Sequence, residues 1–174
     1  MFLIVSSSLN PDSNSRVLAR EAARVLEGDG VETAFLDLRE HPLPFCDGGA
    51  AYSRPEVKTA YELVAQAQAI IVATPIYNYA GNAALKNLVE LTGGAWKNKV
   101  VAFLCAAGGN SSYMSVMPLA NSLMLDFRCL IVPRFVYSTG EAFGDGRITD
   151  PEHLRRVAEL ARATVRLTAL PPAA

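Results

Sequence analysis

The sequence predicts an α/β fold: a three-layer sandwich in which a five-stranded parallel sheet, ordered 2-1-3-4-5, carries helices on both faces. Three observations predict it. Short apolar runs recur along the chain with helically spaced segments between them, and strands separated by helices pair in parallel. The first, third and fourth runs are almost wholly apolar, as strands buried on both faces are. The second carries Glu32 and Asp37 and the fifth Pro133 and Arg134, and charge and proline belong at sheet edges.

The run at 2–5 ends in serines and reads as the first strand. From Ser13 the pattern turns helical. Leu18, Ala22, Val25 and Leu26 share one face, Arg16, Arg20, Arg24 and Glu27 lie elsewhere, and Gly28 and Gly30 stop the helix. Residues 31–38 form the second strand, and 39–54 a loop rich in Pro and Gly. Ser53 with Glu56 reads as a capping box opening a helix with Val57, Ala60, Tyr61, Val64 and Ala67 on one side. AIIVA at 69–73 is the third strand, followed by a loop and a short helix at 83–92. KVVAFLCA at 99–106 is the fourth, followed by a Gly-rich turn and a helix through 112–126. The fifth begins at 129–132 and extends towards 136 around Pro133. Asp150 caps the last helix, Pro151 takes its first position, and Pro171 and Pro172 end it. No repeat or shift in composition divides the chain, so residues 1–174 are expected to form one domain.

Composition narrows the function. The 174 residues are 51% hydrophobic and 19% charged, the profile of an ordinary globular protein. A formal net charge of −1 leaves no electrostatic footprint for nucleic acid or anionic lipid. No apolar run approaches the roughly 20 residues needed to span a bilayer. The opening MFLIVSSS lacks the basic start and long apolar stretch of a secretory leader. Cys46, Cys105 and Cys129 are odd in number and widely spaced. Cys105 and Cys129 sit in strand-like runs and read as buried free thiols. A cytoplasmic protein without nucleic-acid or membrane partners is expected. His41 and His153 have no spaced partners, so no metal site is expected.

The order 2-1-3-4-5 is the flavodoxin-like order, whose ligand crevice lies at the carboxyl ends of strands one and three. The loops after strands one, three and four all open there. SSSLNPDSNSR at 6–16 precedes a helix N-terminus, where free amides and the positive dipole end attract an anion. Hydroxyls of Ser8, Ser13 and Ser15 with the amide of Asn10 can complete a phosphate cradle. Without G-x-G-x-x-G or a Walker lysine, a terminal phosphate suits it better than a pyrophosphate. The alternative is a serine-rich turn with Ser13 as a plain N-cap. TPIYNYA at 74–80 offers backbone groups at Ile76 to Asn78 and the rings of Tyr77 and Tyr79 to a flat heterocycle; the alternative is a Pro–Asn turn with surface tyrosines. In AAGGNS at 106–111, Gly108 and Gly109 let backbone approach a ligand, or simply make a turn.

Together with DLREHPLPFCD at 37–47, these segments resemble the NADPH-dependent FMN reductase family, from residue 2 to about residue 112. The most specific part is a P-x-Y-N turn followed by L-K-N: Pro75, Tyr77 and Asn78, then Leu85, Lys86 and Asn87. The resemblance implies that Ser8, Asn10, Ser13 and Ser15 hold the FMN phosphate. It also implies that Pro75, Ile76, Tyr77 and Asn78 contact the ring and that Gly108 and Gly109 lie under its far edge. Asn10 stands where the family usually has arginine, and Ser15 where asparagine is frequent. Arg16 is the candidate to compensate for the missing charge.

Further implied are NADPH or NADH as co-substrate, hydride transfer to FMN, and a small-molecule electron acceptor: a quinone, azo compound, metal oxyanion or free flavin. The flavin carries that chemistry, so no catalytic side chain is named. A homodimer or homotetramer is expected, with the 39–54 loop and Tyr79 as contacts. The rival readings are a flavodoxin-type electron carrier, which is usually strongly acidic, and a flavin-binding module without turnover.

Overall fold

Two apolar layers, one on each face of a parallel sheet, organise the chain. The computed structural model describes residues 1–169. The strands are β1 (Phe2–Ser6), β2 (Thr33–Asp37), β3 (Ala69–Tyr77), β4 (Ala80–Gly81), β5 (Val100–Ala107), β6 (Leu130–Ile131), β7 (Val136–Thr139), β8 (Phe143–Gly144) and β9 (Arg147–Ile148). The helices are α1 (Asn14–Gly28), α2 (Pro55–Gln66), α3 (Ala83–Thr92), α4 (Met117–Phe127) and α5 (Pro151–Thr168). The sheet runs β2-β1-β3-β5, with β6 and β7 both alongside β5 at the far edge. This is the expected flavodoxin-like order, with seven strands in the sheet rather than five.

Alternation along the strands separates the layers. Leu3, Val5, Ile70, Val72, Val101 and Phe103 pack with residues of α2, α3 and α4. Ile4, Ala69, Ile71, Ala73, Ala102 and Leu104 pack with α1 and α5. Both faces of β1, β3 and β5 are therefore covered, which is why their sequences are uniformly apolar.

Several boundaries differ from the sequence reading. The fifth strand is two pieces. Pro133 has no N–H to give the ladder, and Arg134 at φ 61° turns the chain before β7 rejoins β5. The loop at 74–80 is instead a hairpin: β3 continues to Tyr77 and folds back onto β4. Asn78 (φ 49°) and Tyr79 (φ 61°) both occupy the left-handed region, as a two-residue type I′ turn requires.

The capping box does not form. Ser53 ends a short 3-10 turn (Ala50–Ser53), and α2 starts at Pro55, whose fixed φ suits the first helical position. α4 starts at Met117 rather than 112, after a 3-10 turn at Asn110–Ser112. The small β8–β9 hairpin turns on Asp145 (φ 51°) and Gly146 (φ 69°), an Asp-Gly pair that reads as a polar turn in the sequence, while its two-residue strands are too short to register. Pro171 and Pro172 lie outside the described residues.

All three cysteines are free, with Cys105 and Cys129 buried and Cys46 partly exposed. Burial pushes the Cys105 thiol up to about 12 and that of Cys129 up to about 11. Both stay protonated at pH 8 and therefore unreactive. Iodoacetamide at that pH is expected to label native protein at Cys46 alone and denatured protein at all three. Peptide mass mapping checks this, and Cys105 labelled in native protein would contradict it.

Candidate functional site

The carboxyl ends of β1, β3, β5 and β7 meet around a cavity of about 470 Å³, within the size range of small-ligand sites. Ser8, Asn10, Ser13 and Ser15 form one end, while Pro75, Ile76, Tyr77 and Gly108 form the other. Eight of the ten expected site residues thus line one cavity. Asn78, at the hairpin apex, and Gly109 lie off it. Ala106, Ala107 and Gly140 also line the cavity. Gly140 directly follows β7, and with that strand's end undefined in the sequence, nothing pointed to it.

The serine-rich loop is both a cap and a cradle. Ser13 is the N-cap of α1: its Oγ accepts from the Arg16 amide at 3.3 Å. The same Oγ lies 2.8 Å from Ser15 Oγ, so the two buried hydroxyls form a pair at the helix start. The amides of Asn14 and Ser15 have no acceptor among the described residues, and they carry the positive end of the helix dipole. Asn10 shapes the loop: its amide donates to Ser8 Oγ and its Oδ1 accepts from the Asp12 amide at 3.0 Å.

Arg16 does not sit on the polar face of α1 and does not compensate for the missing arginine. It is 5% exposed and lies behind the loop. Its Nε donates to Asp37 Oδ2 at 2.6 Å and Nη2 to Asp37 Oδ1 at 3.2 Å. Nη1 donates to the carbonyls of Asn10 and Pro11, and Nη2 also to that of Ser8. All five guanidinium N–H groups are then engaged within the protein. No lysine or arginine lines the cavity and the Asp12 carboxylate does, so an anion there is held by amides and hydroxyls without a cationic side chain.

Asn82 ties the two ends of the cavity together, and the sequence reading missed it. Its Nδ2 donates to the Ser7 carbonyl at 2.7 Å, and its Oδ1 accepts from Ser7 Oγ at 2.8 Å. That oxygen also accepts from Thr74 Oγ1 and caps α3 through the Leu85 amide, both at 3.3 Å. An asparagine directly before a helical stretch was the available signal.

L-K-N then divides into three tasks. Leu85 is buried, Lys86 pairs with Glu90 on the surface of α3, and Asn87 anchors the 39–54 loop. Asn87 Nδ2 donates to the Pro44 carbonyl at 2.9 Å, and its Oδ1 accepts from the Cys46 amide at 2.8 Å. On the opposite side, Tyr137 Oη donates to the Gly109 carbonyl and lies 2.6 Å from Ser112 Oγ, holding the glycine turn in place.

Residues 1–144 match the profile described as NADPH-dependent FMN reductase. The chain belongs to this family. An NAD(P)H-dependent FAD/FMN reductase of Geobacillus thermodenitrificans is 31% identical across 79% of this chain and 76% of its own. An FMN-dependent NADH:quinone oxidoreductase of Bordetella petrii is 30% identical across 82% of this chain and 85% of its own. Among solved structures, the flavoenzyme FerB, an NAD(P)H:(acceptor) oxidoreductase from Paracoccus denitrificans, superposes with a TM-score of 0.78. It covers 96% of both chains at 21% identity, a likeness of fold.

The cavity fits the family's FMN in chemistry. A Cβ built on Gly108 meets nothing within 4 Å, so the protein itself does not require glycine there. The space suits the close approach of a flat ring. Buried beside the cavity, the Ser138 hydroxyl has no partner among the described residues; Ser138 pairs across the ladder with the wall residue Ala106.

Proposed function

We propose that this chain is an NAD(P)H-dependent, FMN-binding oxidoreductase on a single domain spanning residues 1–174. The observation that carries the reading is one cavity with two chemically different ends. Free α1 amides and the Ser13–Ser15 hydroxyl pair suit a phosphate. Tyr77, 53% exposed, with Pro75, Ala107 and Gly108, suits the face of a flat ring. FMN supplies hydride acceptance from NADPH or NADH and its passage to a second substrate. The protein's part is to hold the phosphate, orient the ring and leave one face open. Acceptors of the quinone, azo, metal oxyanion or free flavin class fit this arrangement, and the Bordetella relative is named for quinones. The electron-carrier reading is disfavoured by the net charge of −1.

The proposed assembly is a homodimer or homotetramer. Leu9 (58% exposed) and Phe45 (85% exposed) flank an apolar hollow with Leu43 and Ala84 on the anchored 39–54 loop and α3. A second subunit would bury it, with Tyr79 as a further contact. Among the described residues no helix is long and apolar enough to cross a membrane. A cytoplasmic location without nucleic-acid partners completes the proposal.

FMN titration followed by flavin fluorescence tests the cradle. Ser13→Ala combined with Ser15→Ala is expected to weaken FMN more than tenfold. A thermal melt in parallel separates this from the roughly 1 kcal/mol cost of losing the N-cap. Unchanged affinity would mean that the loop is structural. Anaerobic addition of NADPH or NADH should then bleach the bound flavin, with multiple turnovers on a quinone. FMN bound but never reduced by either nucleotide would favour a carrier instead.

A further inference from the structure

We propose that a groove between α5 and the edge of the sheet binds a nucleoside polyphosphate, separately from the cavity at the strand ends. The groove holds about 670 Å³, room for a nucleotide. Glu152, Arg155, Arg156, Glu159 and Arg166 line one side. With Leu160 and Ala163 between them they follow the helical repeat and so form one stripe of α5, about 20 Å long at 1.5 Å per residue. Arg134 and Tyr113 face them from the edge strand and the turn after β5.

The charges are not balanced within the groove. Glu152 and Glu159 both bond Arg155. Arg134, Arg156 and Arg166 make no hydrogen bond or ion pair among the described residues. Solvated arginines on one helix face would carry no weight alone. These come from two separate elements, and Arg134 is held at φ 61° where the edge strand breaks, a conformation unfavourable for a residue with a Cβ. Tyr113 adds a flat apolar surface. Its ring is 43% exposed and braced against Phe135 (centroids 4.9 Å apart) and Tyr137 (5.5 Å).

Unpaired guanidinium forks bind phosphate oxygens in bidentate fashion, and a braced aromatic ring stacks on a base. Together they select an anionic phosphate chain carrying a heteroaromatic base. A free nucleoside diphosphate and the ADP half of a dinucleotide share that chemistry. Because Tyr113 packs on Tyr137, and Tyr137 holds the Gly109 carbonyl, an occupant would lean on the turn beside the other cavity.

Calorimetric titration of ADP into FMN-saturated protein at low salt tests the site. One saturable ADP per chain is expected, weakened at least tenfold in Arg134→Ser/Arg156→Ser/Arg166→Ser. Lys58→Ser with Lys97→Ser, both exposed elsewhere, should leave the affinity unchanged. Tyr113→Leu should weaken ADP more than inorganic pyrophosphate. No saturable binding, or full affinity in the triple arginine variant, overturns the proposal. ADP bound in the strand-end cavity would not respond to the arginine changes, so this site and the flavin reading fail separately. The source follows from kinetics. A raised KM for NAD(P)H at constant kcat in the triple variant identifies the dinucleotide, and an unchanged KM identifies a free nucleotide.

Discussion

Arg16→Ala is expected to lower stability by about 3–5 kcal/mol and to abolish measurable FMN binding. The Arg16 and Asp37 side chains are only 6% and 12% exposed. Removing one partner leaves Asp37 close to buried with only the Arg39 amide still donating to it. The carbonyls of Ser8, Asn10 and Pro11 lose their donors in the same step. Such a loss is a large part of the 5–15 kcal/mol that holds a typical domain, equivalent to a fall of roughly 10 °C in Tm for a chain of this size. Arg16→Lys keeps the charge but not the planar fork, so it should recover only part of the stability. Urea denaturation and FMN titration read the two effects. A cost below about 1 kcal/mol for Arg16→Ala would show that the loop holds its shape without the guanidinium.

Asn82→Ala is expected to cost about 3 kcal/mol and to weaken FMN together with it. Ser7 and Thr74 are both fully buried, so the Ser7 carbonyl, its hydroxyl and the Thr74 hydroxyl would all lose a partner out of reach of water. α3 would also lose its cap. Asn82→Ser separates the contributions: it keeps a capping oxygen but does not reach Ser7, so it should recover about 1 kcal/mol of stability. Guanidinium unfolding measures the first effect. FMN affinity near wild type in a folded Asn82→Ala protein would show that Asn82 does not hold the two ends of the cavity together.

Much of the fold was legible because its signals are local. Wholly apolar runs at 2–5, 69–73 and 99–106 demand burial on two faces, and Glu32, Asp37, Pro133 and Arg134 mark edges. Strand order then sent three loops to one end, where eight expected residues meet. The hairpin at Asn78 and Tyr79 was not legible as such. Its strand partner is only Ala80 and Gly81, too short for alternation to register. The capping box failed for a related reason: Ser53 and Glu56 have the right spacing, but Pro55 between them starts the helix one residue after Arg54. Arg16 was misread because periodicity assigns a residue to a face of its own helix and says nothing of what covers that face.

The sequence by itself determined the order of the main strands, the sheet's edges, the family and which loops gather at one end of the sheet. Each of these follows from residue type and spacing along the chain. Only the tertiary structure decided how the serine-rich loop is held and which charges remain for a ligand. Asp37, 21 residues from Arg16, takes its guanidinium out of the cavity, and Asn82, 75 residues from Ser7, joins the loop to the hairpin. Hydrogen bonds between distant residues leave no period in a sequence, because they exist only once the strands are side by side.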